Sequence, residues 1–154
     1  MRVIGVGNIL LCDEGIGVHV VRELSRRGDP PGVEYADGGV AGATLLNLIE
    51  GEERVVVVDA VDAPFPPGTV VRLDPGEVAG SASPAWSLHD VNLAGVLGMM
   101  RLRETLPRML VLGVVPADIG TYRLELSETL AARFGEIVEK VRGEIAAFAA
   151  SPGR

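Results

Sequence analysis

The sequence predicts an α/β fold, a three-layer α/β/α sandwich on a mostly parallel five-stranded sheet, from two observations. Near-continuous apolar runs bounded by glycine and proline occur at residues 2–6, 54–58 and 109–115, the pattern of strands buried on both faces. Between these runs apolar residues recur at helical spacing, so strands alternate with helices as they do when crossover helices join parallel strands.

Taken in order, the run 2–6 is the first strand. Ile16, Val20 and Leu24 follow at i, i+4 and i+8 and define the buried face of a first helix, with Asp13 standing where a side chain could cap its first turn. A shorter strand at 33–36 leads to a helix over about 42–49, and 54–58 is the next buried strand. Residues 69–73, bracketed by PFPPG and DPG, suit an edge strand because proline cannot donate to a central ladder. They lie inside a Pro/Ala/Gly/Ser-rich stretch, 63–85, expected to be a surface excursion. Ser87 with Asp90 three residues later resembles a capping box, opening a helix at His89 that turns Val91, Ala94, Leu97 and Gly98 to the sheet. After 109–115, a last helix capped by Ser127 carries Leu130, Phe134, Ile137, Val138, Val141, Ile145 and Phe148 on one stripe. A stripe of that kind docks a helix rather than binding a cofactor.

A chain of 154 residues is expected to form a single domain, 1–154, and its 47% hydrophobic content lies far from the composition of disordered segments. The net charge of −7 argues against nucleic acid, which requires clustered Lys and Arg. Cys12 is the sole cysteine, and the opening MRVIGVGNILL is too weakly charged and too short in its apolar run for a signal peptide, so the expected compartment is the cytoplasm. No run approaches the ~18 apolar residues needed to span a bilayer, and no membrane association is expected.

Ligands in open α/β sheets bind outside the carboxyl ends of the strands. Three metal-compatible side chains fall at that kind of position: Glu14 after the first strand, Asp59 at the end of the 54–58 run, and His89 at the start of a helix. One imidazole and two carboxylates suit a borderline divalent ion such as zinc or nickel, and three protein ligands leave a coordination position open. On spacing alone, two loop carboxylates and a first-turn histidine account for these residues as well. His19, five residues after Glu14, lies about 140° around the helix from it and reads as a helix-surface residue.

Other constellations are weaker. Gly5, Gly7 and Leu10 give GxGxxL, lacking the third glycine of a dinucleotide loop, and Asp13 and Glu14 would repel a pyrophosphate. Cys12 has no histidine in a defined relation to it and reads as an inert buried thiol. Asp13, Asp37, Asp62 and Asp90 suit caps and turns, with an aspartic dyad from two of them left open.

Read as a whole, GVGNILLCDEGIGVHVVREL resembles the N-terminal signature of the hydrogenase maturation protease family, in which G-x-G-N leads into D-E-G-x-G and a helix. The likeness runs on through DGGVAG at 37–42, VVVVDAVDA around Asp59, SLHDVNLAGVL around His89 and LGVVP near Val115. Cys12 departs from the small polar residue common in the family, and Asn92 from a frequent glycine. The resemblance implies metal-binding and catalytic positions at Glu14, Asp59 and His89. It also implies an endopeptidase that removes a C-terminal extension from the large-subunit precursor of a nickel-iron hydrogenase after nickel insertion. Nickel would be supplied by that substrate, with zinc or another divalent ion as the alternative. Metal-activated water, a carboxylate general base, and a grip on the substrate's own nickel are the mechanisms it leaves open, the last being favoured. A metallohydrolase of another substrate and a non-enzymatic metal-binding maturation chaperone remain the rival functions.

Overall fold

In a computed structural model, residues 1–28, 30–40, 42–80 and 93–152 are described. The sheet is built from β1 (Arg2–Gly5), β2 (Glu34–Asp37), β3 (Arg54–Ala60), β4 (Val70–Leu73) and β5 (Arg108–Val114). The helices are α1 (Ile16–Arg27), α2 (Ala43–Ile49), α3 (Pro75–Gly80), α4 (Leu93–Leu102) and α5 (Glu128–Ala150), with a 3-10 turn at Cys12–Gly15 before α1.

Strand order is β2-β1-β3-β5-β4. β1 pairs in parallel with β2 and β3, β3 pairs in parallel with β5, and β4 closes the edge antiparallel to β5. The expected α/β sandwich with a mostly parallel five-stranded sheet is therefore the observed one. Alternation along each strand divides the core in two. Val3, Val56, Val58, Leu110, Leu112 and Val114 face α1 and α5, where Ile16, Val20, Leu24 and the α5 stripe are buried. Ile4, Val55, Val57 and Val111 face the opposite layer of Leu45 and Ile49 from α2, Val78 from α3, and Leu93, Val96, Leu97 and Met100 from α4. Right-handed crossovers dictate this division, because the chain moves from β1 to β2 in one direction and from β2 back over β1 to β3 in the other.

The sequence pattern and the structure part company in three places. The stretch expected as a surface excursion contributes to the core, because α3 follows β4 and buries Val78. Only one α3 side chain is buried, too short a signal for periodicity. The opening of the third helix at His89, with its Ser87/Asp90 box and Val91, lies outside the described residues, as do Ser81 to Ala85; helix is described from Leu93 onward. Asp13 does not cap α1, whose N-terminus has no side-chain cap; it turns inward, as set out below. Ser127 does cap α5, accepting from the Leu130 N–H at 3.2 Å.

The carboxyl ends of β1, β2, β3 and β5 share one edge of the sheet. Between β1 and β3 the chain departs in opposite directions, β1 toward β2 and β3 toward β5, which makes that gap the topological switch point where α/β sheets bind ligands.

Candidate functional site

Glu14 and Asp59 meet at this switch point. Asp59 is the sixth residue of β3, in register with Gly113 of β5, and Glu14 sits in the 3-10 turn that packs against the end of β3. Both are buried. Glycine makes the approach possible. A Cβ on Gly17 would overlap the carbonyl oxygens of Val58 and Val6, so only glycine lets the start of α1 lie directly on the strand ends. Gly7 holds φ at +137°, and a Cβ there would run into the Glu14 carbonyl oxygen. GVGN and DEGIG are thus the two halves of one close packing that delivers Glu14 to the β3 terminus, with no requirement for phosphate.

Burial dominates the electrostatics of Asp59. Burial pushes the Asp59 carboxyl up from 3.8 to about 7; the Ala60 N–H, donating to Asp59 Oδ1 at 2.8 Å, opposes that rise and the nearby Glu14 charge adds to it. Near neutral pH the protein alone holds Asp59 close to half protonated. A cation between the two side chains would relieve both the burial of charge and the repulsion, so the donor set fits a divalent ion.

His89, the third predicted member, lies outside the described residues, so its placement relative to the pair is not described. Among the described residues no three His, Cys, Asp or Glu side chains are grouped to hold a metal ion. His19 is half-buried rather than on the helix surface. Its Nε2 is enclosed without a hydrogen-bond partner among the described residues. Burial, then the Arg22 charge, pulls its pKa below 6.5 against a backbone hydrogen bond to Leu124. The loop after β5 folds over α1 and encloses it, a contact between distant segments that helical spacing does not register. Cys12 is a buried free thiol whose pKa burial raises, in keeping with an inert residue. Asp37 is the expected turn-former: its Oδ1 accepts from Gly39 N at 2.9 Å, while its Oδ2 takes Arg22 at 2.8 Å.

Sequence reasoning missed Asp13. This carboxylate is fully buried and accepts at Oδ2 from Ala117 N, Asp118 N and Ser127 Oγ, and at Oδ1 from Ser127 N, all within 2.7–2.9 Å. One side chain thereby ties the Glu14 turn to the loop after β5 and to the first turn of α5. Cys12, at φ +55°, is held in its left-handed conformation by the same tie, its N–H donating to the Arg123 carbonyl at 2.9 Å. Nothing in the spacing of Asp13 distinguishes a tether from a cap, because its partners lie more than a hundred residues away.

Against known proteins, a family model described as hydrogenase maturation protease matches residues 18–144. The hydrogenase 2 maturation protease of Escherichia coli strain K12 is 37% identical over 142 residues, spanning 90% of this chain and 86% of that protein. The solved structure of the hydrogenase maturating endopeptidase HybD from E. coli superposes with a TM-score of 0.73 at 34% identity, covering 91% of this chain and 88% of that one. A hydrogenase 2 maturation peptidase from a Thaumarchaeota archaeon gives a TM-score of 0.67 at 31% identity, covering 94% and 97%. Sequence and fold thus agree over most of the chain's length, and the chain belongs to the hydrogenase maturation protease family.

Proposed function

We propose that this protein removes a C-terminal extension from the large-subunit precursor of a nickel-iron hydrogenase once nickel has been inserted, and that it recognises the precursor by that nickel. The observation that carries the reading is the buried pair Glu14 and Asp59 at the switch point, with Asp59 held near half protonation in the absence of a cation. Two carboxylates brought together away from water form an unfavourable arrangement for the protein alone and a favourable one for a cation-bearing substrate. Glu14, Asp59 and His89 would grip the ion, imidazole and carboxylate both being suited to nickel. The ion would supply positioning of the precursor tail and polarisation of the scissile amide. Asp59 gives up its proton when the loaded substrate arrives, so recognition and ionisation are coupled. We set the reaction in the cytoplasm, in line with the single unpaired Cys12.

A second reading draws on the same carboxyl. A group that titrates at about 7 is matched to general-base work near neutral pH, and Asp59 could take the proton of an attacking water with no nickel present.

The two readings separate in one assay. Nickel-loaded and nickel-free precursor are each incubated with protease previously dialysed against a chelator, and the product mass is measured. Cleavage of the loaded precursor alone supports recognition through substrate nickel. Efficient cleavage of the nickel-free precursor, or of a peptide spanning the cut site, defeats it in favour of a self-contained carboxylate hydrolase. Failure of the chelated protease on loaded precursor, restored by added zinc, would assign a resident metal instead.

A further inference from the structure

Large apolar side chains left in water on this molecule are not scattered. Among the described residues, Leu10, Val40, Phe65, Ile119, Tyr122 and Leu124 are exposed and belong to loops that follow the carboxyl ends of β1, β2, β3 and β5. That is the edge at which Glu14 and Asp59 converge. Apart from these, only Met99 and Leu102 of α4 are exposed large apolar residues within the described chain. Clustered exposure of this kind marks an interaction surface, whereas single exposed residues do not.

The strongest part of the rim is a ledge made by two short extended segments. Leu11 and Arg123 form a parallel bridge, in which Arg123 N–H donates to Leu10 O at 3.0 Å and Cys12 N–H donates to Arg123 O at 2.9 Å. The bridge sets Leu10 beside Tyr122 and Leu124, which are 54%, 85% and 57% exposed, around a groove of about 420 Å³. Arg123 and Glu125 at the groove margin pair at 3.8 Å, so the groove carries little net charge in a chain of net charge −7.

The ledge is braced from beneath. Asp13 accepts from Ala117 N and Asp118 N and also donates its own N–H to Asp118 O at 2.9 Å. Asp118 in turn accepts from Gly120 N, Thr121 N and Thr121 Oγ1, and His19 bonds the Leu124 backbone. A loop tied at so many points loses little conformational entropy when a partner lands on it, which is the condition for a pre-organised docking surface. Asp13 is also the residue next to Glu14, so the ledge and the candidate site are fixed to each other through one side chain.

We infer that this ledge docks the protein substrate, taking an apolar, uncharged segment of the hydrogenase large-subunit precursor separate from the nickel-bearing region gripped at Glu14 and Asp59. The inference rests on the proposed function for the identity of the partner. Its physical ground is continuity with the site. The rim and the carboxylate pair lie at the same edge of the sheet and are joined through Asp13, so a protein substrate held at the pair is the occupant that can reach both surfaces at once. Two contacts of different chemistry, one apolar and one metal-centred, explain how a small protein could select a single folded precursor: nickel reports that the precursor is ready and the ledge reports that it is the right protein.

The test uses the full chain with Tyr122→Ser and Leu124→Ser combined, with Leu102→Ser on α4 as an equally exposed control away from the rim. Purified nickel-loaded precursor is titrated in cleavage assays, and its binding is measured separately by biolayer interferometry. The double variant is expected to raise KM about 30-fold while the rate at saturation stays within about twofold, as truncation of two apolar anchors does. The control should leave KM unchanged. An unchanged KM and unchanged precursor binding in a folded double variant overturn the inference. If the wild type leaves the precursor uncut, the protease reading fails by itself; binding then decides the ledge, lost binding in the double variant supporting it and retained binding overturning it. If sedimentation finds a wild-type dimer that the double variant dissolves while precursor binding is retained, the ledge joins two copies and the inference is overturned.

Discussion

Replacing Asp59 by asparagine should make the protein more stable at pH 8 and leave it nearly unchanged at pH 4. In the folded state the Asp59 carboxyl titrates at about 7 instead of 3.8, chiefly because it is buried. Between those values the folded state binds the proton more tightly than the unfolded state, so the favourable contribution of the neutral acid is complete below pH 3.8 and is lost as pH rises through 7. A rise of just over three powers of ten in proton affinity, at 1.36 kcal/mol each, sets the full effect at about 4 kcal/mol. Asparagine carries no charge at any pH, and its Oδ1 can keep the hydrogen bond that Ala60 N–H donates. The variant should therefore match the wild type at pH 4, gain about 1.4 kcal/mol per pH unit above that, and level off near pH 8. Urea unfolding at unit steps of pH, with divalent ions removed by chelator, reads this as a midpoint difference of about 2 M at the upper end. His19, whose pKa is lowered, gives the opposite trend below pH 6.5, but it is common to both proteins and drops out of the difference. A difference independent of pH, or a variant less stable than the wild type at pH 8, would refute the assignment of a buried, strained carboxylate. The same variant should fail to process nickel-loaded precursor, so that a gain in stability accompanies a loss of function.

The remaining predictions concern how the site is held and used. Glu14→Gln and His89→Ala should each abolish precursor processing, read by product mass, while circular dichroism stays that of the wild type; wild-type processing by either removes it from the site. Asp13→Asn should destabilise by about 3 kcal/mol in urea unfolding, because three backbone N–H groups, the Ser127 hydroxyl and the Cys12 thiol all donate to its carboxylate and an amide NH₂ would face donors in place of an acceptor. A change below about 0.5 kcal/mol would mean that the tether is not structural. Gly17→Ala should destabilise by about 3 kcal/mol or more, since its Cβ meets the Val58 and Val6 carbonyl oxygens and backbone cannot give way as a side chain can.

What the sequence makes legible follows the range of the interaction involved. The five strands and the α5 stripe were readable because burial imposes a period on neighbouring residues, and only strand ends shifted by a residue or two. α3 was not readable, since one buried valine in six residues imposes no period. Glu14 and Asp59 were readable as positions, both lying next to strand ends where open α/β sheets place their ligands.

Asp13 and Glu14 show where such reading stops. They are adjacent carboxylates in the same 3-10 turn, both buried, and in sequence either could be a cap, a ligand or a base. Their difference is created by residues 104 to 114 positions downstream, which surround Asp13 with donors, while Glu14 is directed to a β3 terminus that offers it another carboxylate. A side chain met by donors from two distant segments serves as a tether. One aimed at a second buried acid shifts the cost onto that acid, and burial beside the Glu14 charge is what raises the Asp59 carboxyl to about 7.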